Sequence, residues 1–282
     1  MLACRVSPKQ KQELVTLVRK LRPHLTGLAI GDGANDVNMI IAAHVGVGIR
    51  GLEGQQAARA SDFAIGEFKI LRRLLLLYGR EAYRRNSYLI LYNFYKNITL
   101  VLAQFWFGFH SGFSGMSIFD QYVYQLFNIF FASVPIIIYA VFDEEIDPEI
   151  LVNHPEFYHQ GPKGKFVMSL IDKIDKIFNG RRFAKWFANG IWESAVIFFI
   201  SFYCFDYRVI PNTEGKTLQF YAPGIMVMSC AVWVTNAKVL TMSNNFYFLN
   251  LFFVFGSMLC YALIFWICTK VEFIESYGYF SA

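Results

Sequence analysis

From Tyr88 onward the chain is a succession of apolar runs, each close to the ~20 residues that a helix needs to cross a bilayer, separated by short charged or polar stretches. Hydrophobic residues make up 55% of the 282 residues, aromatic residues 18%, and Phe alone occurs 30 times. That is more apolar surface than an ordinary soluble domain can bury. Met1 to Arg85, by contrast, carries a normal density of charge. The chain therefore divides into a soluble part and a membrane part.

Phe68 to about Phe109 reads as one long helix, amphipathic and basic at first (Lys69, Arg72, Arg73, Arg80, Arg84, Arg85) and apolar later. Such a helix would enter the bilayer as a rod able to transmit movement. Further spans are expected at about Tyr122 to Phe142, Phe187 to Cys204, Pro223 to Leu240 and Phe246 to Thr269, which makes five. Lys and Arg are dense before Tyr88 and between Asp143 and Trp186 (Lys163, Lys165, Lys173, Lys176, Arg181, Arg182, Lys185), and sparse from Phe205 to Phe220 (Arg208, Lys216). The positive-inside rule then puts the N-terminal part and the 143–186 connection in the cytosol. An odd count leaves Val271 to Ala282 on the exoplasmic side and hints that the chain stops before its natural end. Within the connection, Phe166 to Phe178 reads as an amphipathic helix, lying on the bilayer interface or docking regulators.

Net charge is +5, a small excess that does not suggest nucleic acid. The five cysteines lack metal-ligand spacing and imply no disulfide framework. The soluble part has sharper chemistry. Leu25 to Ile30 reads as a buried strand and Val37 to Ala43 as a helix, with Gly31-Asp32-Gly33-Ala34-Asn35-Asp36 between them at the carboxyl end of the strand. That end is where an open α/β sheet binds ligands. Asp32 and Asp36 suit a hard cation such as Mg²⁺, and Asn35 can donate to a phosphate oxygen. Upstream, Ser7-Pro8 followed by Lys, Gln and Glu is a helix start, and it puts Lys11 forward as the cation a phosphoryl group would require.

In the membrane part, Asn86, Asn93, Asn97 and Gln104 fall within about 40° of one another on the first span, with Lys96 on the flank. Gln121, Gln125 and Asn128 form a comparable row on the second, where Pro135 marks a kink. These amides serve either helix–helix bonding or a substrate path, with Asn97 and Asn128 open to both readings. An ammonium at Lys96 inside hydrocarbon reads as functional by default. A cation pump needs carboxylates deep in these two spans, whereas none lies between Tyr88 and Phe109, and Asp120 and Asp143 sit only at the ends of the second. Amides plus one lysine fit a zwitterionic or anionic lipid headgroup better. Glu193, early in the third span, is read as interfacial and given no role.

Arg5-Val6-Ser7-Pro8 with Lys11, Gly31 to Asp36, Ala43 to Ile49 and Ala60-Ser61-Asp62-Phe63 resemble the phosphorylation domain of a P-type ATPase. Phe94-Tyr95-Lys96-Asn97, Phe105 to Phe109, Leu126-Phe127-Asn128 and Ser133-Val134-Pro135 resemble the phospholipid flippase (type IV) subfamily. The resemblance implies a haloacid-dehalogenase-like, Rossmann-type α/β domain, present in part over residues 1–67. A stalk and first helix pair (68–142), a cytosolic loop (143–186) and three further helices with an exoplasmic tail (187–282) would follow. It implies that Lys11 neutralises the phosphoryl group, that Asp32 binds Mg²⁺, and that Asn35 and Asp36 support phosphate and metal; Lys96 is the transport lysine. Asp62 reads as either structural or functional, and Gly46 and Gly48 as strand packing. ATP is the implied substrate, phospholipid the cargo moved from exoplasmic to cytosolic leaflet, and an accessory glycoprotein β-subunit the partner. The departure is the absence of Asp-Lys-Thr-Gly, the motif of the phosphorylated aspartate, together with the nucleotide-binding and actuator domains. Without that nucleophile the segment alone is expected to be inactive. A cation-transporting relative and a catalytically dead membrane scaffold are the alternatives.

Overall fold

The computed structural model describes residues 4–51, 55–160, 178–204, 222–245, 247–268 and 270, in two compact units, Met1–Gly79 and Arg80–Ala282. The expected amphipathic helix Phe166 to Phe178 (all but Phe178), the stretch containing Arg208 and Lys216, and the tail Val271–Ala282 lie outside the described residues.

In the first unit, Ser7 caps α1 (Pro8–Leu21) through a capping box: the Gln10 amide donates to Ser7 Oγ at 3.4 Å, and the Ser7 amide donates to Gln10 Oε1 at 2.9 Å. β1 (Leu28–Gly31) leads through a 3₁₀ turn, Ala34–Asp36, into α2 (Val37–Ala42), and β2 (Val45–Ile49) follows. α3 (Gln56–Ala60) then precedes β3 (Phe63–Ile65). The three strands are parallel in the order β1-β2-β3, with Ala29, Val47, Ala57 and Ile65 buried around them. This is a small α/β unit; β1 begins at Leu28 rather than Leu25, and only Ala29 and Gly31 of it are buried, since three strands leave its outer edge uncovered. α4 (Ile70–Arg73) and a π-helical segment, Leu74–Gly79, close the unit.

The second unit begins at α5 (Arg80–Ser111), so the helix expected from Phe68 to Phe109 is not one uniform α-helix. Six residues of wider π-helical winding precede Arg80. α6 (Gln121–Leu126), a second π-helical segment (Phe127–Phe131) and α7 (Ser133–Phe142) form the next helical run. α8 (Pro148–Asn153), α9 (Gly180–Cys204), α10 (Ala222–Met242) and α11 (Phe248–Cys268) complete it. Among the described residues four helices are long and apolar enough to cross a membrane: Gln121–Phe142, α9, α10 and α11. α5, counted as a fifth span from the sequence, falls short because Asn93, Lys96, Asn97 and Gln104 interrupt its apolar half. α5 packs most extensively on α9, where Gly190 lies close to Ile98 and the Tyr95 carbonyl: a Cβ there would meet them at 3.3 and 3.4 Å, a tight fit that small shifts can accommodate.

Pro135 is the pivot of the α6–α7 run. It has no N–H to offer the carbonyl of Phe131, four residues earlier, and in hydrocarbon such a group must find another donor. Asn236 on α10, fully buried, supplies it: Nδ2 donates to Phe131 O at 2.9 Å, and Asn236 Oδ1 accepts from Ser257 on α11 at 3.0 Å. The Tyr92 hydroxyl of α5 donates to the Ala132 carbonyl at 3.3 Å. Three helices thus converge on the opened turn.

At the other end of α7, Arg84 of α5 donates to Asp143 Oδ2 at 2.9 Å, to the Asp143 carbonyl at 3.0 Å and to Glu81 at 2.8 Å, with Arg84, Glu81 and Asp143 all buried. Asp143 also accepts from the Asn244 amide at 2.9 Å, which ties in the turn between α10 and α11. Burial pulls the Arg84 guanidinium pKa down, but the hydrogen bond and charge of Glu81 and the bond to Asp143 outweigh it, so its pKa stands above the ordinary value. The charge at this junction is permanent.

Asn236→Leu leaves the Phe131 carbonyl unpartnered and is expected to destabilise the unit by about 1–3 kcal/mol, seen as a lower melting temperature in detergent. Asn86→Ala, at an exposed amide, is the near-neutral control. In a Pro135→Ala background, which restores the missing N–H, the cost of Asn236→Leu should shrink.

Candidate functional sites

The first site is built on the turn after β1. α1 points Lys11 at it, and Nζ donates to Asp36 Oδ1 at 2.7 Å, with both groups partly buried. Asp36 in turn packs over Gly31, where any Cβ would overlap the Asp36 Cβ and carboxyl group. Glycine at 31 is therefore a requirement of close approach rather than turn punctuation. Asp32 and Asn35 are exposed at the same turn. Two carboxylates and an amide at the carboxyl end of a parallel strand form a donor set suited to Mg²⁺, which takes one or two protein carboxylates and leaves its other positions to phosphate and water. Among the described residues no group of three or more His, Cys, Asp or Glu gathers in a metal-holding cluster. Asp62 is structural: its carboxylate accepts from the Gly46 amide at 2.7 Å and its own amide donates to the Gly46 carbonyl at 3.0 Å, bracing β2. Gly48 is strand packing, since a Cβ there would meet the α3 backbone at 2.6 Å.

The second site lies where α5 meets the opened helix. Lys96, 4% exposed, donates from Nζ to Ser133 Oγ at 3.2 Å, and Ser133 Oγ donates to the backbone carbonyl of Asn128. Lys96, Ser133 and Asn128 are thus brought together, although Asn128 takes part through its backbone and its side chain is exposed. Asn97 is exposed on the neighbouring face of α5. The polar row on α5 does not act as one stripe. Gln104 pins the loop after α5, donating to the Met116 carbonyl at 2.7 Å and accepting from the Ile118 amide at 3.0 Å.

Glu193, read from the sequence as interfacial and given no role, has defined partners. On α9 it accepts from the Tyr95 hydroxyl and from Asn189 Nδ2 at 2.6 Å, and Lys238 of α10 stands 3.7 Å away. Lys238 also sits over the rings of Tyr95, at 5.1 Å, and Trp186, at 5.3 Å. Lys238, Asn189 and Trp186 border a cavity of about 600 Å³ that Glu145, Arg182 and Lys185 also line, large enough to hydrate these charges. An acid and a base inside otherwise apolar runs were the signals available in the sequence.

With this geometry in view, residues 58–282 match the sequence model of the phospholipid-translocating P-type ATPase C-terminal region. The phospholipid-transporting ATPase DRS2 of Saccharomyces cerevisiae is 39% identical over 94% of this chain, and phospholipid-transporting ATPase 6 of Arabidopsis thaliana is 39% identical over 91%. Phospholipid-transporting ATPase ID of Homo sapiens is 38% identical over 93%. The matches cover 19%, 20% and 21% of those relatives, so the chain spans about a fifth of their length. The chain belongs to the phospholipid-translocating P-type ATPase family and corresponds to its C-terminal region.

Gly31→Ala should push the Asp36 side chain off its seat and speed amide hydrogen exchange across residues 31–36. Gly33→Ala, with only the Asn35 amide as near as 4.0 Å, should leave exchange unchanged.

Proposed function

We propose that this chain is the C-terminal part of an ATP-driven phospholipid flippase that moves lipid from the exoplasmic to the cytosolic leaflet through an aspartyl-phosphate cycle. The observation that carries the reading is the buried Lys96 ammonium, held by Ser133 beside a helix opened at Pro135, in a family whose relatives are named for phospholipid transport. A fixed cation among hydroxyl and carbonyl groups offers a lipid phosphate or carboxylate a charge-assisted partner. Asn97 and Asn128, exposed on either side, line the path for the rest of the headgroup.

The carboxylates of the second unit support lipid rather than a metal cation as cargo. Asp143 is engaged by Arg84, Glu193 by Tyr95 and Asn189, and Asp120 caps α6 through the Tyr122 amide at 2.9 Å. Among the described residues Asp143 and Glu193 are thus occupied, and of Asp120 only Oδ2 is buried without a partner, a single oxygen where Ca²⁺ takes roughly six to eight.

In the first unit, a haloacid-dehalogenase-like phosphorylation domain is the reading of the three parallel strands and the Gly31–Asp36 turn. Asp32 and Asp36 would hold Mg²⁺, Lys11 would neutralise the phosphoryl group and Asn35 would donate to its oxygens. The bound metal would supply charge stabilisation for phosphoryl transfer from ATP. The aspartate that receives the group is not in these residues, so the segment alone is expected to be inactive. Lys11 has a second task on the page: by pairing with Asp36 at 2.7 Å it keeps the carboxylate oriented in the turn. The N-terminus on the cytosolic side, the tail on the exoplasmic side and an accessory glycoprotein subunit complete the proposal.

The test is lipid-stimulated ATP hydrolysis by the full-length protein carrying this chain. Lys96→Ala is expected to reduce lipid-stimulated turnover by at least about tenfold, and Asp36→Asn to abolish phosphoryl transfer in the absence and presence of lipid. Stimulation by a metal cation without a response to phospholipid would overturn the reading.

A further inference from the structure

We propose that Glu193 and Lys238 are positioning residues for lipid transport, holding Tyr95 and so fixing the turn of α5 that aims Lys96. The proposal rests on the headgroup role of Lys96 given above and names what keeps that lysine in place. Tyr95 is fully buried and directly precedes Lys96. Its hydroxyl is committed to Glu193 and its ring lies beneath the Lys238 ammonium at 5.1 Å. The Trp186 ring meets it edge-on at 5.8 Å. Neighbouring residues on a helix project ~100° apart, so any rotation of α5 that frees Tyr95 must also swing Lys96 away from Ser133.

The chemistry explains why a charged pair is used at this place. Glu193 and Lys238 come from different helices, α9 and α10, and each helix end has its own packing constraints; Tyr95 is the point where their side chains meet α5. Asn189, one turn before Glu193, donates to the same carboxylate at 2.6 Å and sets its rotamer. A neutral amide at 193 could still accept from the Tyr95 hydroxyl, but no neutral side chain at 238 would be drawn to the face of the Tyr95 ring as the ammonium is. Removing either charge leaves the other without its partner in a half-buried setting, with the adjoining cavity to hydrate it.

The experiment titrates ATP hydrolysis by the full-length protein with phospholipid, using whichever of phosphatidylserine, phosphatidylethanolamine and phosphatidylcholine stimulates it most. Glu193→Gln and Lys238→Gln should each raise the lipid concentration for half-maximal stimulation by about three- to tenfold, with the maximal rate held within about twofold. The double variant should be no worse than the poorer single one, because both substitutions remove one interaction. Tyr95→Phe, which keeps the ring and both charges, should move the half-maximal concentration in the same direction and carries the test if a charge variant aggregates. Unchanged half-maximal concentrations, or effects that add in the double variant, overturn the proposal. Lys96→Ala separates the two readings. If it leaves lipid stimulation intact, the headgroup role fails; if it abolishes stimulation while Glu193→Gln and Tyr95→Phe change nothing, only the positioning role fails.

Discussion

The carbonyl of Phe131 is the group on which the membrane unit turns. Pro135 denies it the N–H that a regular helix would provide, and hydrocarbon offers no water in its place. The solution found is a side chain from another helix, Asn236, itself held by Ser257 of a third. Tyr92 adds a bond to the next carbonyl, and Ser133 satisfies that of Asn128. A single missing proton therefore dictates how α5, α7, α10 and α11 meet. The same opened turn exposes the Ser133 hydroxyl to Lys96, so the defect in the helix and the candidate substrate site are one feature.

Charge is distributed to match. Buried Arg84 of α5 is matched by Glu81 and Asp143, and half-buried Lys238 of α10 by Glu193. Such pairs seldom add much net stability, because desolvation offsets the attraction, but they penalise every arrangement in which a charge loses its partner. They specify register and rotation, the two properties that apolar helix packing leaves loose. Lys96 differs from Arg84 and Lys238 in having a hydroxyl, not a carboxylate, as its bonded partner, which is why its charge is the one proposed to meet an anion that arrives from outside.

Much of this was legible in residue order. The capping box at Ser7, the glycine-spaced acids at Asp32 and Asp36, and the apolar runs that become α9, α10 and α11 follow from local chemistry. Lys11 is expected to face a phosphoryl group; the structure pairs it with Asp36, 25 residues away, a contact that residue order does not announce. Periodicity placed helices along the chain but not their rotation about their axes. The row of amides on α5 therefore looked like one stripe, when Gln104 holds a loop and Asn97 lies exposed. Glu193 looked idle because its partners lie 98 residues before it, at Tyr95, and on α10. Pro135 announced a kink; only the three-dimensional pairing revealed that Asn236 completes it. The π-helical winding before Arg80 had no local signature beyond a run of leucines ending in glycine.

The central claim is that Lys96 meets a lipid phosphate, and the most direct measurement is the dipolar coupling between ¹⁵Nζ of Lys96 and the ³¹P of bound phospholipid. It can be made by solid-state NMR on the ¹⁵N-lysine-labelled full-length protein, with Lys96→Gln identifying the signal. The account predicts a coupling for a nitrogen–phosphorus distance of about 4 Å, as expected of an ammonium hydrogen-bonded to a phosphate oxygen. Lipid-occupied protein in which Lys96 shows no coupling to phosphorus would contradict it.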